Sequence, residues 1–415
     1  MYEQITLPNG VRLLTEAMSG VRSAAVGIWV GAGSRMERNS EAGSAHFIEH
    51  MLFKGTPYRS ASKLAADMDA IGGQCNAFTT RDATCFYARS LDTHLSFAAD
   101  ILTEMFFDSL FAERDVESER GVILEEIGMY EDTPEDLVSE ILAAAVYPGQ
   151  PLGRPILGTE GTLRAIDSRA LKDYCRRRYV AGSTIVSVSG SFSREDLDAI
   201  CAAFSAVPTG DPAPLPPARY QKAAVVKKKD IEQNHLLLVF PGLPADHPDR
   251  YALAALNNIL GAGMSSRLFQ RVRERSGLCY SIYSYTSLYR DTGVLGIYVA
   301  LCRDTQEAAL KMIREELETF VRDGVTREEL SRTKEQLKTS LLMALESTNS
   351  RMSSMARNEM TYGRDQTPEE TVDRLEAVTT DDVHRLARQL LDFDNMSFSA
   401  VGSVSAKEDY LELFR

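Results

Sequence analysis

The sequence has no basic excess. Its 46 Lys and Arg face 59 Asp and Glu, for a formal net charge of −13 over 415 residues. A general nucleic-acid binder needs basic patches to neutralise phosphates, so the composition argues against nucleic-acid partners. Long apolar runs are missing too. The longest, such as residues 24–30, are strand-length and far short of the roughly 20 residues that span a bilayer, so no membrane partner is expected. The start, Met1-Tyr2-Glu3-Gln4, has neither a basic nor an apolar leader region. The expected compartment is a prokaryotic cytoplasm, with an organellar matrix as the alternative. Tryptophan occurs once. The six cysteines contain no C-x-x-C pair and read as free thiols in a reducing compartment. What is present is ordinary: 44% hydrophobic and 25% charged residues, enough to build a core and to exclude wholesale disorder.

The chain reads as one unit written twice. Ser187-Val-Ser-Gly190-Ser resembles Ser399-Ala-Val-Gly402-Ser, an offset of 212. The same offset aligns Thr159–Ile166 with Thr371–Val378, and Asp92-Thr93 with Asp304-Thr305. Between the copies, residues 208–217 hold five prolines, which keep a chain extended and read as a linker. The expected domains are 1–207, a linker at 208–220, and 221–415. In each, strand-like runs group with helical patterns instead of alternating strictly. That predicts an α+β fold, two tandem homologous domains, each a mostly antiparallel sheet with helices packed on one face.

The chemistry concentrates at Ala45-His46-Phe-Ile-Glu49-His50-Met-Leu, an H-x-x-E-H pattern. On a helix His46 and His50 sit roughly 40° apart on one face, with Glu49 about 60° to the side. Two imidazoles one turn apart can hold a metal ion, and the carboxylate can take a proton from water beside it. From the composition, the pattern arises by chance in roughly one such chain in eighty. A third ligand must come from elsewhere. The acid-rich helical stretch at 113–126 offers Glu119 and Glu126, seven apart on one face, and spacing alone does not choose Glu126 over Glu125.

The inverted H-x-x-E-H order is the signature of inverzincin metallopeptidases. The whole chain resembles the pitrilysin/insulinase family, in particular the two-domain branch with mitochondrial processing peptidase and its bacterial homologues. Ala42-Gly-Ser-Ala-His46, His50-Met-Leu-Phe-Lys-Gly-Thr56, Gly72-Gly-Gln-Cys-Asn76, Leu124-Glu-Glu126-Ile and Pro151-Leu-Gly-Arg-Pro155 carry the likeness. The family's third ligand lies 76 residues past the second histidine, with another glutamate seven earlier, which here gives Glu126 and Glu119. The resemblance implies one Zn2+ per chain on His46, His50 and Glu126, Glu49 as general base, and Glu119 in support. One departure is Arg81-Asp82-Ala83, where relatives carry an Arg-Glu-His-like stretch.

The family also carries an Arg and a Tyr seven apart that donate to the substrate carbonyl. Arg273 and Tyr280 fit, with Arg275 a neighbouring rival. Aligning Gly55 with Gly261 puts Ala252, Ala255 and Leu256 where His46, Glu49 and His50 stand, so the second copy lacks the metal motif. The resemblance implies a zinc endopeptidase acting on unfolded peptides or extended segments inside a closed chamber. It further implies a homodimer whose sites are completed in trans, and peptide bound as an added strand at the Gln74 to Thr79 edge. A non-catalytic structural or assembly subunit of the same fold is the alternative.

Overall fold

The computed structural model describes residues 2–414. The expected α+β architecture of two tandem domains is present, built on two sheets. In the first, β1 (Tyr2–Thr6) and β2 (Arg12–Ala17) form an antiparallel hairpin whose turn contains Asn9-Gly10, where Gly10 takes a φ of 103°. They are joined by β3 (Ser23–Val30), β4 (Gln74–Thr79), β5 (Thr84–Leu91) and β6 (Thr184–Gly190) in the order β1-β2-β6-β3-β5-β4. Only the β2–β6 pair is parallel. The second sheet orders β7 (Ala224–Lys228), β8 (Asn234–Pro241), β9 (Cys279–Leu288), β10 (Gly293–Leu301) and β11 (Ser397–Gly402) as β7-β11-β8-β10-β9. Here the parallel pair is β7–β11.

The alternation along β3 explains the layering. Val26 and Ile28 point to one face and pack with Phe47, Ile48 and Met51 of the Ser44–Leu52 helix and with Ile101 and Leu102. Ala25 and the lone Trp29 point to the other face. Most helices cover the first face of each sheet, as expected. The other face carries one helix taken from the opposite half of the sequence. Thr348–Tyr362 lies on the first sheet through Met352, Met355 and Ala356, and Trp29 Nε1 donates to Met352 Sδ (3.4 Å). Pro134–Val146 lies on the second sheet through Leu137, Val138 and Leu142. Matched serines pin both helices. Ser187 Oγ donates to the Met352 carbonyl (2.8 Å), and Ser399 Oγ to the Val138 carbonyl (2.7 Å).

The compact units are therefore not the contiguous stretches 1–207 and 221–415 that the repeat implies. One unit comprises residues up to Gly128, Arg154–Pro216 and Met343–Gln366; the other comprises Met129–Gly153, Pro217–Leu342 and Thr367 onward. Each sheet has two apolar faces to bury, and the helix that buries the second face comes from across the repeat. The proline segment also differs from a free spacer. Its start is strapped to the first unit: Pro208 and Gly210 carbonyls accept from Ala181 and Gly182, and buried Arg35 donates to the Pro216 carbonyl. The paired glycines of the repeat hold the same place. Gly190 ends β6 and Gly402 ends β11, with φ of 112° and 134°.

Candidate metal centre

The Ser44–Leu52 helix is buried on Ala45, Phe47, Ile48, Met51 and Leu52 and turns its histidines toward the Glu113–Asp132 helix. The ligand atoms of His46, His50 and Glu126 lie within 4.8 Å of one another. Glu126 Oε2 sits 3.6 Å from His46 Nε2 and 3.7 Å from His50 Nε2. A tetrahedral zinc with bonds near 2.0–2.1 Å places its ligand atoms roughly 3.3 Å apart, so these three side chains fit one ion with small adjustments. The neighbour Glu125 is turned to solvent. Burial, then the charge of His50, pushes His46 down to about 4, which keeps it neutral as a metal ligand must be.

The surrounding groups orient this set. His50 Nδ1 is 3.1 Å from Glu119 Oε2, and the other Glu119 oxygen bonds Lys54 Nζ at 2.5 Å. Glu119 is buried on the inner face of its helix, with Val116 and Ile123. Glu49 lies beside the ligands. Burial raises its pKa, against hydrogen-bonding from Thr79, whose Oγ1 donates to Oε2 at 2.6 Å. Burial likewise raises Glu126, against the pull of His50. A carboxylate with a raised pKa next to a metal position is suited to exchange protons near neutral pH. Thr79 ends β4, which among the described residues pairs with β5 alone, so Glu49 is tied to the outer strand of the sheet. Behind that strand lies a cavity of about 470 Å³, lined by Phe53, Leu64, Met68, Ile101 and Met105.

Arg273 and Tyr280 belong to the other unit. Arg273 lies in a π-helical turn (Phe269–Arg275), and Tyr280 is the second residue of β9. The Arg273 guanidinium stacks 5.5 Å from the Tyr280 ring centre and 4.7 Å from that of Phe269. Tyr280 is 75% exposed, an unusual place for a phenol in a strand. The structure thus brings these two together, and it brings His46, Glu49, His50, Glu119 and Glu126 together. Sequence reasoning gave no role to Lys54 beside Glu119 or to Thr79 beside Glu49. Lys54 follows His50 by four residues, just past the end of the helix, and that spacing is the signal that could have found it. Thr79 is placed by sheet register, which no local pattern announces.

An α+β repeat with one H-x-x-E-H helix and a glutamate closing its ligand set defines a zinc peptidase of the inverted-motif class. Comparison with known proteins gives the same class. Residues 12–160 match the family described as insulinase (peptidase family M16), and residues 165–337 match the peptidase M16 inactive domain. The chain is 44% identical over 397 residues to the uncharacterized zinc protease YmxG of Bacillus subtilis, covering 95% of this chain and 97% of that one. A zinc protease of Streptomyces coelicolor is 39% identical, covering 97% and 90%. Among solved structures, a protease from Helicobacter pylori superposes with a TM-score of 0.89 at 21% identity, over 97% of this chain and 99% of that one. The chain belongs to peptidase family M16, in its two-domain branch. Among the described residues no helix is long and apolar enough to cross a membrane.

Proposed function

We propose that the chain is a zinc endopeptidase that cuts polypeptide segments in extended form. The observation that carries this reading is the convergence of His46, His50 and Glu126 beside Glu49. Zinc held there supplies Lewis acidity, polarising a carbonyl and making a water acidic enough to attack near neutral pH. Glu49 takes the proton of the attacking water and returns it to the leaving amine. His50 is held by Glu119. Arg273 and Tyr280 donate to the oxygen that gains negative charge. The open edge of β4 takes the substrate backbone as an added strand, and the cavity behind it takes an apolar side chain.

The working form is a homodimer that encloses a chamber, with Arg273 and Tyr280 of one copy serving the zinc of the other. Chelator should abolish peptide cleavage, zinc should restore it, and Glu49→Gln should keep metal but lose turnover. Full activity in a metal-free chain would sink the assignment. Mixing inactive Glu49→Gln with inactive Arg273→Ala should restore part of the activity through mixed dimers. An active monomer would rule out completion in trans.

A further inference from the structure

We propose that Glu37 is a positioning residue for the metal centre, holding His46 in place through the first turn of its helix. That helix starts from Gly43, whose φ of 94° is reached without strain only by glycine and whose missing side chain can accept nothing from the free N–H groups. Glu37 supplies the acceptor from six residues upstream. It is 3% exposed, and its two oxygens accept from the backbone N–H of Gly43 (2.9 Å) and of Ala45 (2.7 Å). When ionised, the carboxylate also meets the positive end of the helix dipole. Burial pushes this carboxyl up to about 8, and the two amides, with Arg154, pull against that. The Glu37 segment is itself tied down, since Arg154 donates to the Glu37 carbonyl (2.6 Å) and to Asn39 Oδ1 (2.8 Å).

His46 has particular need of this. A metal-binding imidazole is ordinarily fixed by a hydrogen bond from its second nitrogen. His50 has that bond, to Glu119. His46 Nδ1 is buried with no hydrogen-bond partner among the described residues. Its ring is therefore oriented by packing and by the backbone beneath it. His46 follows Ala45 directly and lies a full turn nearer the helix start than His50, so any loosening of that start displaces His46 more.

The inference rests on the zinc reading of the site. The test uses the full chain at about pH 8.5, above the value of about 8 to which burial pushes the Glu37 carboxyl. Zinc affinity is measured by competition with a chromophoric chelator, and ligand geometry by the visible bands of bound cobalt. A wild-type chain that takes up no zinc refutes the metal reading itself. Given wild-type binding, Glu37→Ala should weaken zinc by about 10–100-fold and shift the cobalt bands, as loss of an outer partner does at other sites. Glu37→Gln keeps one acceptor oxygen and should fall between. With saturating zinc and peptide, the Ala variant should lose kcat while KM holds. If Glu37→Ala does not fold, Glu37→Gln carries the test, with weaker zinc binding and shifted cobalt bands expected. A folded variant with wild-type zinc affinity and unchanged cobalt bands overturns the proposal, even if its metal-free form melts lower, because that pattern marks a purely structural role.

Discussion

Lys54 provides a quantitative test of how the metal centre is organised. Its ammonium bonds the Glu119 oxygen that His50 does not use, so Glu119 sits between a cation and an imidazole. Replacing Lys54 by Met keeps the aliphatic stem and removes the charge. Glu119, with its side chain 6% exposed, is then left with one partner in place of two. Hydrogen bonds to charged groups contribute about 1.5–3 kcal/mol in partly buried settings. Lys54 keeps 35% of its side chain exposed, so solvent already screens the pair and the lower end applies. A loss near 1.4 kcal/mol corresponds to about tenfold weaker zinc binding. Glu119→Gln removes the group that Lys54 acts on, and its own loss should be about 10–100-fold. In the Glu119→Gln background, Lys54→Met should add nothing measurable. The double-mutant cycle then returns a coupling equal to the whole Lys54 effect. Chelator-competition titrations of the four chains measure it. Equal zinc affinity in wild type and Lys54→Met refutes the reasoning, and so does the same loss in both backgrounds.

Three further outcomes follow from other parts of the structure. Arg351, on the exchanged helix, has its side chain 3% exposed and is paired with Glu16 (2.5 Å) and Asp365 (2.6 Å); Arg351→Met leaves the carboxylates uncompensated and should cost about 3–5 kcal/mol in urea unfolding, with Asp365→Asn recovering part of it. An Arg351→Met chain as stable as wild type would show that the helix is held by packing alone. Burial alone would lift the Glu329 carboxyl, but the Arg267 guanidinium (2.7 Å) and the Thr326 N–H outweigh it and hold it at about 2. Because the folded value lies below the ordinary 4.5, the stability it brings is full above 4.5 and drains as pH falls toward 2. Arg267→Met should flatten that part of an acid-unfolding curve, and an unchanged slope there would remove Glu329 as its source. Filling the cavity behind β4 with Ala65→Phe should shift cleavage away from peptides with large apolar residues next to the cut bond; an unchanged peptide profile would place side-chain selection elsewhere.

What the sequence disclosed was what is written locally. The H-x-x-E-H helix and the acid-rich helical stretch at 113–126 depend on residues a turn or two apart, and they stand where the periodicity puts them. The 212-residue offset was legible because Gly190 and Gly402 both end a strand with positive φ, where a side chain would be strained. The exchange of helices was not legible. Thr348–Tyr362 has a Met, Ser and Ala pattern that would suit any sheet face, and nothing local says that the face belongs to β3 and β6 and not to β8 and β11. The choice of Glu126 over Glu125 had the same character. Helical phase leaves both open, and only the position of the neighbouring helix turns Glu126 inward and Glu125 outward.

The second copy shows what the metal centre costs the first. Where the first unit has His46, Glu49 and His50, the second has Ala252, Ala255 and Leu256, all packed into its core with 3% or less exposed. Such side chains need no partners. The polar set in the first unit needs several: Glu119 and Lys54 for His50, Thr79 for Glu49, and Glu37 for the start of the helix. One buried nitrogen, His46 Nδ1, still has no hydrogen-bond partner among the described residues. An unpartnered buried donor weakens a fold by about 1–3 kcal/mol. Metal bound there would offset this deficit, because a ligand that binds only the folded state stabilises it, by an amount that grows with the logarithm of its affinity. The first unit should therefore gain from zinc and the second should not. Hydrogen exchange on the full chain would read this directly: zinc should slow exchange in the Ser44–Leu52 and Glu113–Asp132 helices and leave Arg250–Leu260 as it was. Equal protection of both copies would mean that the ion does not bind where His46, His50 and Glu126 converge.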